Sequence, residues 1–352
     1  LSQALRRVGV APLRELFTLV RGPATGAARW RGLLVCAIDG TSMFVPNSAA
    51  NAAAFGRQTG RPDAESGYPM LRLLTVVACG TRTVIDAVFG SYGVGETTYA
   101  PNLLGCLKND MLLLADRNFA VTALIEQVAA ADAQVLIRCK DGRVLPPIRR
   151  LGDHSWLARM GSVTVRVIDA TIAVRLGTGT IRRGHYRLVT TLTDEKRYPA
   201  DELVELYHQR WEIETSYLEL KSTLGGGRVL RAATPAGIAQ EVYALLVTYQ
   251  ALRTAIADTA LAHPGTSPDR LSFTVALQAA RDQVIHAAAA ITDTTVDLVG
   301  RIGAAILGHL LPARRSRSSP RVVKRAISKH RAKGDIDRTN HTTTITIEIL
   351  DG

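Results

Sequence analysis

Between Tyr207 and Lys221, four chemically capable side chains recur at spacings that a helix turns into a single line. In the run Tyr207-x2-Arg210-x3-Glu214-x6-Lys221, helical residues advance by about 100° each, so Arg210, Glu214 and Lys221 fall at roughly −60°, −20° and −40° from Tyr207. Glu212 and Glu219 fall on roughly the opposite side. A carboxylate framed by a guanidinium, an ammonium and a phenol suits a metal-binding acid beside phosphates. The cations would hold the phosphate backbone, and the phenol would stack on a base or meet a phosphate. A solvated helix face with ordinary ion pairs has the same composition, so the stripe alone does not decide. Two further acids bear on it. Asp39 follows the apolar run 33–38 and Asp116 follows 111–115, and in an open α/β sheet functional groups gather at strand ends. Either aspartate alone reads as a turn or cap residue. With Glu214 they make a set of hard oxygen ligands of the kind Mg2+ takes. Two such ions about 4 Å apart polarise the attacking oxygen and stabilise the leaving oxygen of a phosphodiester.

The elements that must position these residues can be read from patterning. Residues 1–30 carry a helical period through Leu5, Val8, Leu13, Leu16, Phe17 and Val20, interrupted at Gly22-Pro23. The run 33–38 predicts a strand buried on both faces and ending at Asp39. Strands at 71–78 and 83–89, joined around Gly80, complete a meander. A helix at 96–107, a strand at 111–115, a helix at 121–131 and a strand at 134–139 then alternate as in an α/β core. The texture changes at about 143, where 163–174 and 186–192 alternate in Val, Ile, Thr and Arg and predict a small β-rich block. Helix resumes at 200–224 and stops at Gly225-Gly226-Gly227. Thr234-Pro235, a cap followed by proline at the first helical position, opens another helix to about 257. Further helices are expected at 272–290 and 295–311, and 342–350 is a β-like run with no evident partner. The expected segments are a helical N-terminal remnant (1–30), the first part of a core (31–142), a β-rich insertion (143–195), the rest of the core with C-terminal helices (196–311) and a basic C-terminal segment (312–352).

Composition narrows the class. At 352 residues the chain is long enough for about two domains and a full core. No uncharged apolar run reaches about 18 residues, so a spanning helix is not expected. No basic-then-apolar segment at the start of this sequence resembles a secretory signal. The chain opens at Leu1 rather than Met, so its true start is expected to lie upstream or to have been processed. Four cysteines, Cys36, Cys79, Cys106 and Cys139, form no CxxC pair. Three lie in apolar runs and read as small buried hydrophobes, which fits a reducing, cytoplasmic setting. The net charge of +12 is concentrated: nine basic and no acidic side chains lie between Pro312 and Gly334. Such a segment attracts polyanions by releasing their counterions, although a solvated tail has the same composition. Its DNA-binding candidates are Arg314, Arg315, Arg317, Arg321, Lys324 and Arg325. Lys108, Arg138 and Lys140 flank the presumed strand ends as further cations. Glu96 reads as a first-turn helix acid or as a supporting acid of the site.

The spacing of Tyr207, Arg210, Glu214 and Lys221 resembles the Y-R-E-K signature of insertion-sequence-4 type DDE transposases. Ile38-Asp39-Gly40-Thr41 resembles that family's first aspartate block. Leu113-Leu114-Ala115-Asp116-Arg117-Asn118-Phe119 resembles the second, with Asn118 where the family usually has Gly; Asn also tolerates left-handed backbone. The likeness runs from about residue 10 to about 330, taking in Arg-Trp-Glu-Ile-Glu at 210–214 and Pro320-Arg-Val-Val-Lys-Arg325.

This resemblance implies an α/β, RNase H-like catalytic core with a β-strand insertion before the catalytic-glutamate helix and helical N- and C-terminal flanks. It implies that Asp39, Asp116 and Glu214 are the catalytic, metal-binding triad, holding two Mg2+ ions for which Mn2+ can substitute. It also implies that Tyr207, Arg210 and Lys221 contact the transposon end. The implied reaction is hydrolysis at the element's end to release a 3′-OH, which then attacks a target phosphodiester. The implied partners are the terminal inverted repeats, target DNA and a second copy of the chain on paired ends, with no membrane, in a nucleoid-associated, cytoplasmic location. Some relatives free the second strand through a hairpin with an aromatic residue near a flipped base. Trp156 and Trp211 are candidates, a core position being the plainer reading of each. Two other readings stay open. One is a catalytically inactive or truncated DNA-binding relative acting as a regulator, against which the intact triad argues. The other is a plain metal-dependent nuclease, which would need neither the stripe nor the basic segment.

Overall fold

The structure, a computed structural model, describes residues 2–57, 67–140, 142–176, 181–289, 298–312 and 343–351. Its strands are β1 (Arg29–Trp30), β2 (Leu33–Phe44), β3 (Met70–Ala78), β4 (Val84–Ser91), β5 (Met111–Ala115), β6 (Gln134–Cys139), β7 (Arg149–Arg150), β8 (Trp156–Met160), β9 (Val163–Leu176), β10 (Ile181–Thr190) and β11 (Thr343–Ile349). They form one mixed eleven-stranded sheet in the order β4-β3-β2-β5-β6-β10-β9-β8-β7, with β1 on β2 and β11 on β9.

The middle of this sheet is covered on both sides, as continuous apolar runs require. Successive residues of a strand point to opposite faces. Accordingly, Leu112 and Leu114 of β5 join one core, while Met111, Leu113 and Ala115 join the other. The first core is closed by the helix Pro235–Ala262 (Ile238, Val242, Leu246, Ile256) and the helix Phe273–Ala289. The second is closed by the helix Thr122–Ala130 (Leu124, Ile125, Val128). The result is a three-layer α/β arrangement. β2, β3 and β4 are the expected antiparallel meander, and β2, β5 and β6 run parallel.

Several expectations change. β2 does not end at Asp39. It continues to Phe44 because residues 39–44 stay paired with β3, Asp39 opposite Thr75 and Phe44 opposite Met70. What ends at Asp39 is the parallel neighbour: the last β2–β5 pair is Ile38 with Ala115. The helix expected at 96–107 is α-helical only over Glu96–Tyr99 and continues as a 3-10 helix over Ala100–Cys106, because Pro101 has no N–H for the α ladder. The N-terminal residues form two helices, Ser2–Val8 and Ala11–Val20. The helix expected at 200–224 is four joined pieces: Ala200–Tyr207, a 3-10 turn His208–Arg210, Trp211–Leu218 and a π turn Glu219–Leu224.

The β-rich block extends the core sheet rather than forming a layer of its own, because β10 pairs with β6 from Arg187–Cys139 to Thr190–Leu136. At its base, Arg166 is fully buried; it donates to Ser155 Oγ (2.8 Å) and the Tyr198 carbonyl (2.6 Å) and pairs with Asp153. β11 gives the C-terminal run its partner: β9 is long enough to pair with β8 along its first half and with β11 along its second. Thr234 caps the Pro235–Ala262 helix by accepting from the Gly237 N–H. Cys36, Cys79 and Cys139 are buried, Cys106 is half-buried, and all four are free thiols. Among the described residues no helix is long and apolar enough to cross a membrane. Arg314, Arg315, Arg317, Arg321, Lys324 and Arg325 lie outside the described residues.

Candidate active site

Two aspartates reach one place because their strands are parallel neighbours. Asp39 follows the last residue of β2 paired to β5, and Asp116 is the first residue beyond β5. Asp116 also caps the 3-10 turn Arg117–Phe119, one carboxylate oxygen accepting the Asn118 N–H at 2.8 Å. Glu214 arrives from the Trp211–Leu218 helix, and Arg210 stands between it and Asp39. The Arg210 guanidinium reaches Asp39 Oδ2 at 3.4 Å and Glu214 Oε1 at 3.3 Å.

The helix is fastened to both aspartate-bearing strands by phenols. Tyr207 is buried and donates to the carbonyl of Ala115, the residue before Asp116, at 3.0 Å. Tyr217 donates to the carbonyl of Asp39 at 2.5 Å and accepts the Thr75 N–H at 3.2 Å. Burial pushes the Tyr207 hydroxyl up to about 12 and moves that of Tyr217 further in the same direction, so both stay protonated donors. Tyr207 is therefore committed to the fold here, which differs from a phenol presented to a ligand. Tyr217 was legible in the spacing, since ten residues after Tyr207 place it at roughly −80°, beside the same stripe. Lys221 closes the stripe by donating to Thr41 Oγ1 at 2.9 Å, and burial lowers its pKa.

Electrostatically, Arg210 stands among several acids. Burial pushes the Asp39 carboxyl up to about 7; the Gly40 N–H and Arg210 oppose the rise, and Asp116 and Glu96 add to it. Burial acts to lower Arg210, but Tyr207, Asp39, Glu214 and Asp116 outweigh it and raise its pKa. Glu96 opens its short helix, as the first-turn reading expects, and pairs with Arg72 at 2.9 Å. Its side chain lies against Gly40, where a Cβ would come within 2.7 Å of Glu96 Cγ. Gly40→Ala is thus expected to push Glu96 off Arg72 and lower stability by about 1–3 kcal/mol, measured by urea denaturation. An unchanged midpoint would show that Glu96 moves freely.

Among the described residues no three His, Cys, Asp or Glu side chains are grouped closely enough to hold an ion as they stand. The acids nevertheless fit one by their chemistry: all three are hard oxygen donors, Asp39 and Glu214 already share a cation, the guanidinium of Arg210, and Asp116 follows the strand paired beside Asp39. Trp156 is a core residue whose Nε1 donates to the Leu145 carbonyl at 2.8 Å. Trp211 departs from the core reading: it is 48% exposed, with the Arg210 guanidinium 5.2 Å from its ring centre, because its helix turns that side outward. Arg138 stacks on Tyr186 at 4.0 Å and donates to the His185 carbonyl. Lys108 and Lys140 are exposed. Glu212 and Glu219, on the far side of the helix, are held by Arg82, for which the composition gave no signal.

Comparison with known proteins bears on this arrangement. The family described as Transposase DDE domain matches residues 30–250. The transposase InsG for insertion sequence element IS4 of Escherichia coli (strain K12) is 30% identical over 347 residues, covering 92% of this chain and 75% of that protein. The putative transposase InsZ of the same organism is 29% identical over 123 residues, 34% of this chain and 41% of its own length. A solved piggyBac transposase synaptic complex with hairpin DNA aligns at a TM-score of 0.42 and 12% identity, over 81% of this chain and 59% of that chain. With a family match that runs from β1 into the Pro235–Ala262 helix and takes in all three acids, and a relative matched along nearly the whole chain, the protein belongs to the DDE transposases of the IS4 family.

Proposed function

We propose that this site cuts DNA at the ends of its element and joins the released 3′-OH to target DNA, with Asp39, Asp116 and Glu214 as its metal-binding acids. The observation that carries the reading is that Asp39 of β2 and Glu214 of the glutamate helix share the Arg210 guanidinium, while Asp116 follows β5 directly beside Asp39. The strand order β4-β3-β2-β5-β6, an antiparallel meander continued by two parallel strands, supports an RNase H-like core with β7–β10 as an insertion before the glutamate helix.

Two Mg2+ ions, or Mn2+ in their place, would supply an activated attacking oxygen and stabilise the leaving one. The protein's own groups do the rest. Arg210 exchanges its carboxylate partners for the DNA phosphate, to which a guanidinium presents two parallel donors. Lys221, held on Thr41, adds a point charge beside it. Tyr207 and Tyr217 keep the two strand backbones in place beneath the acids. Arg314, Arg315, Arg317, Arg321, Lys324 and Arg325 track the DNA backbone, so end binding weakens steeply with salt. Two copies act together on paired ends.

The test is a duplex carrying the element's own end, incubated with the protein, Mg2+ and a target plasmid. Cut strands ending in 3′-OH and joined to the plasmid are the expected products. End binding with no cut strand would return the regulator reading.

A pH dependence follows from Asp39. Its folded pKa is raised from 3.8 to about 7, so the metal-free protein is favoured below pH 3.8 and loses that contribution as pH rises through about 7. The loss amounts to up to about 4 kcal/mol. A divalent cation needs the ionised form and restores the loss. The thermal shift produced by Mn2+ is therefore expected to be larger at pH 8 than at pH 6, and Asp39→Asn should abolish the difference. Equal shifts at both pH values would separate Asp39 from the metal.

A further inference from the structure

We infer that Arg82 is a positioning residue of this active site: from behind the glutamate helix it sets the rotation at which Glu214 and Lys221 are presented. The inference rests on the transposase reading and concerns a cluster that reading does not use.

Arg82 lies in the turn between β3 and β4 at φ 60°, with only 6% of its surface exposed. A bulky residue in left-handed backbone is uncommon and persists where its surroundings determine it. Here the surroundings are three acids. Its Nε takes Glu212, one terminal nitrogen lies 3.4 Å from Glu219 Oε1, and the other takes Asp269. Glu219 is also held by Arg253 Nε at 3.0 Å, and the Tyr249 hydroxyl bridges Glu219 Oε2 (3.2 Å) and the Arg82 carbonyl (3.1 Å).

The spacing gives this cluster its consequence. Glu212 and Glu219 are seven residues apart on the back of the helix, as Glu214 and Lys221 are on the front. Two ion-paired anchors one heptad apart, Glu219 buried and Glu212 half-buried, hold both the angle and the register of the piece between them. Glu219 also opens the π turn that carries Lys221, an irregular turn of the kind found at functional sites. Rotating the helix would pull the buried Glu219 carboxylate and the half-buried Glu212 from their cation, which the low-dielectric interior penalises. A hairpin turn on the sheet thereby fixes the front face that carries Glu214 and Lys221 toward Asp39 and Thr41.

The test uses the full chain with Glu219→Gln, Arg82→Gly and Arg82→Lys. Glutamine keeps the shape and removes the charge, while glycine suits the left-handed backbone and removes the guanidinium. Three quantities are read below the unfolding transition of every variant: metal-free affinity for end DNA, single-turnover cleavage at saturating DNA and Mg2+, and half-saturating Mn2+ from intrinsic fluorescence. End affinity should stay within about twofold, cleavage should fall about 10–100-fold and half-saturating Mn2+ should rise severalfold, since small misplacements of reacting groups carry losses of that order. Arg82→Lys should recover part of both, its ammonium reaching one acid where the guanidinium reaches three. It also keeps the comparison available where a neutral variant fails to fold. Folded variants with wild-type cleavage and wild-type Mn2+ response would overturn the inference. A wild-type chain that binds Mn2+ without cutting would instead remove the proposed cleavage and return the regulator reading, and the Mn2+ comparison would still decide the role of Arg82.

Discussion

Replacing Glu214 with glutamine is expected to lower end cleavage by at least about a thousandfold while leaving end affinity within about twofold. The substitution keeps side-chain length and an oxygen that can still accept from Arg210, which now bridges to Glu214 Oε1 at 3.3 Å. It removes the negative charge that a divalent cation requires. Because Glu214 is half-buried on a helix anchored by Tyr207, Tyr217 and Ile213, the helix itself should not move. Single-turnover assays on a duplex end, with binding measured separately, divide the two effects. Asp39→Asn should behave alike, since Asp39 shares the same guanidinium. A Glu214→Gln protein that cuts within tenfold of wild type would remove Glu214 from the chemistry.

Arg166→Met is expected to have the largest effect on stability, about 3–5 kcal/mol, because it leaves buried acceptors without their cation. Arg166 is 0% exposed and gathers Ser155, the Tyr198 carbonyl and Asp153 onto one guanidinium. Tyr198 directly precedes Pro199 and the Ala200–Tyr207 helix, so this residue ties the β-rich block to the start of the glutamate helix. Urea denaturation gives the loss. Asp153→Asn should lose less, since Asp153 retains partial contact with water. A loss below about 1 kcal/mol for Arg166→Met would mean that packing alone holds the block.

The parts of the fold that patterning revealed are those where burial and period agree. β5 and β6 fall at 111–115 and 134–139, because short strands with a continuous apolar centre between turn residues have few alternatives. Thr234-Pro235 marks a helix start by local chemistry alone. The misread positions depend on partners distant in sequence. Asp39 lies in mid-strand because β3 continues to pair with β2, which no local signal records. The run at 342–350 becomes a strand only because β9 has an unpaired length to receive it. Glu212 and Glu219 read as the far side of an amphipathic helix, yet Glu219 is buried and Glu212 half-buried, since Arg82 and Arg253 arrive from a turn and a helix more than thirty residues away from one or both. The stripe of Arg210, Glu214 and Lys221 was visible because one helix carries it. How Arg210 divides itself between two acids was not, because that depends on the position of β2.

The central claim is that Asp39, Asp116 and Glu214 form one metal centre whose cation position Arg210 now fills. The most direct test is the anomalous scattering of Mn2+ in a crystal of the protein bound to its own end DNA. The expected result is a signal in contact with carboxylate oxygens of all three acids, with Arg210 moved from Asp39 and Glu214 onto the phosphate to be cut. A signal elsewhere, with Arg210 still bridging Asp39 and Glu214, would contradict it.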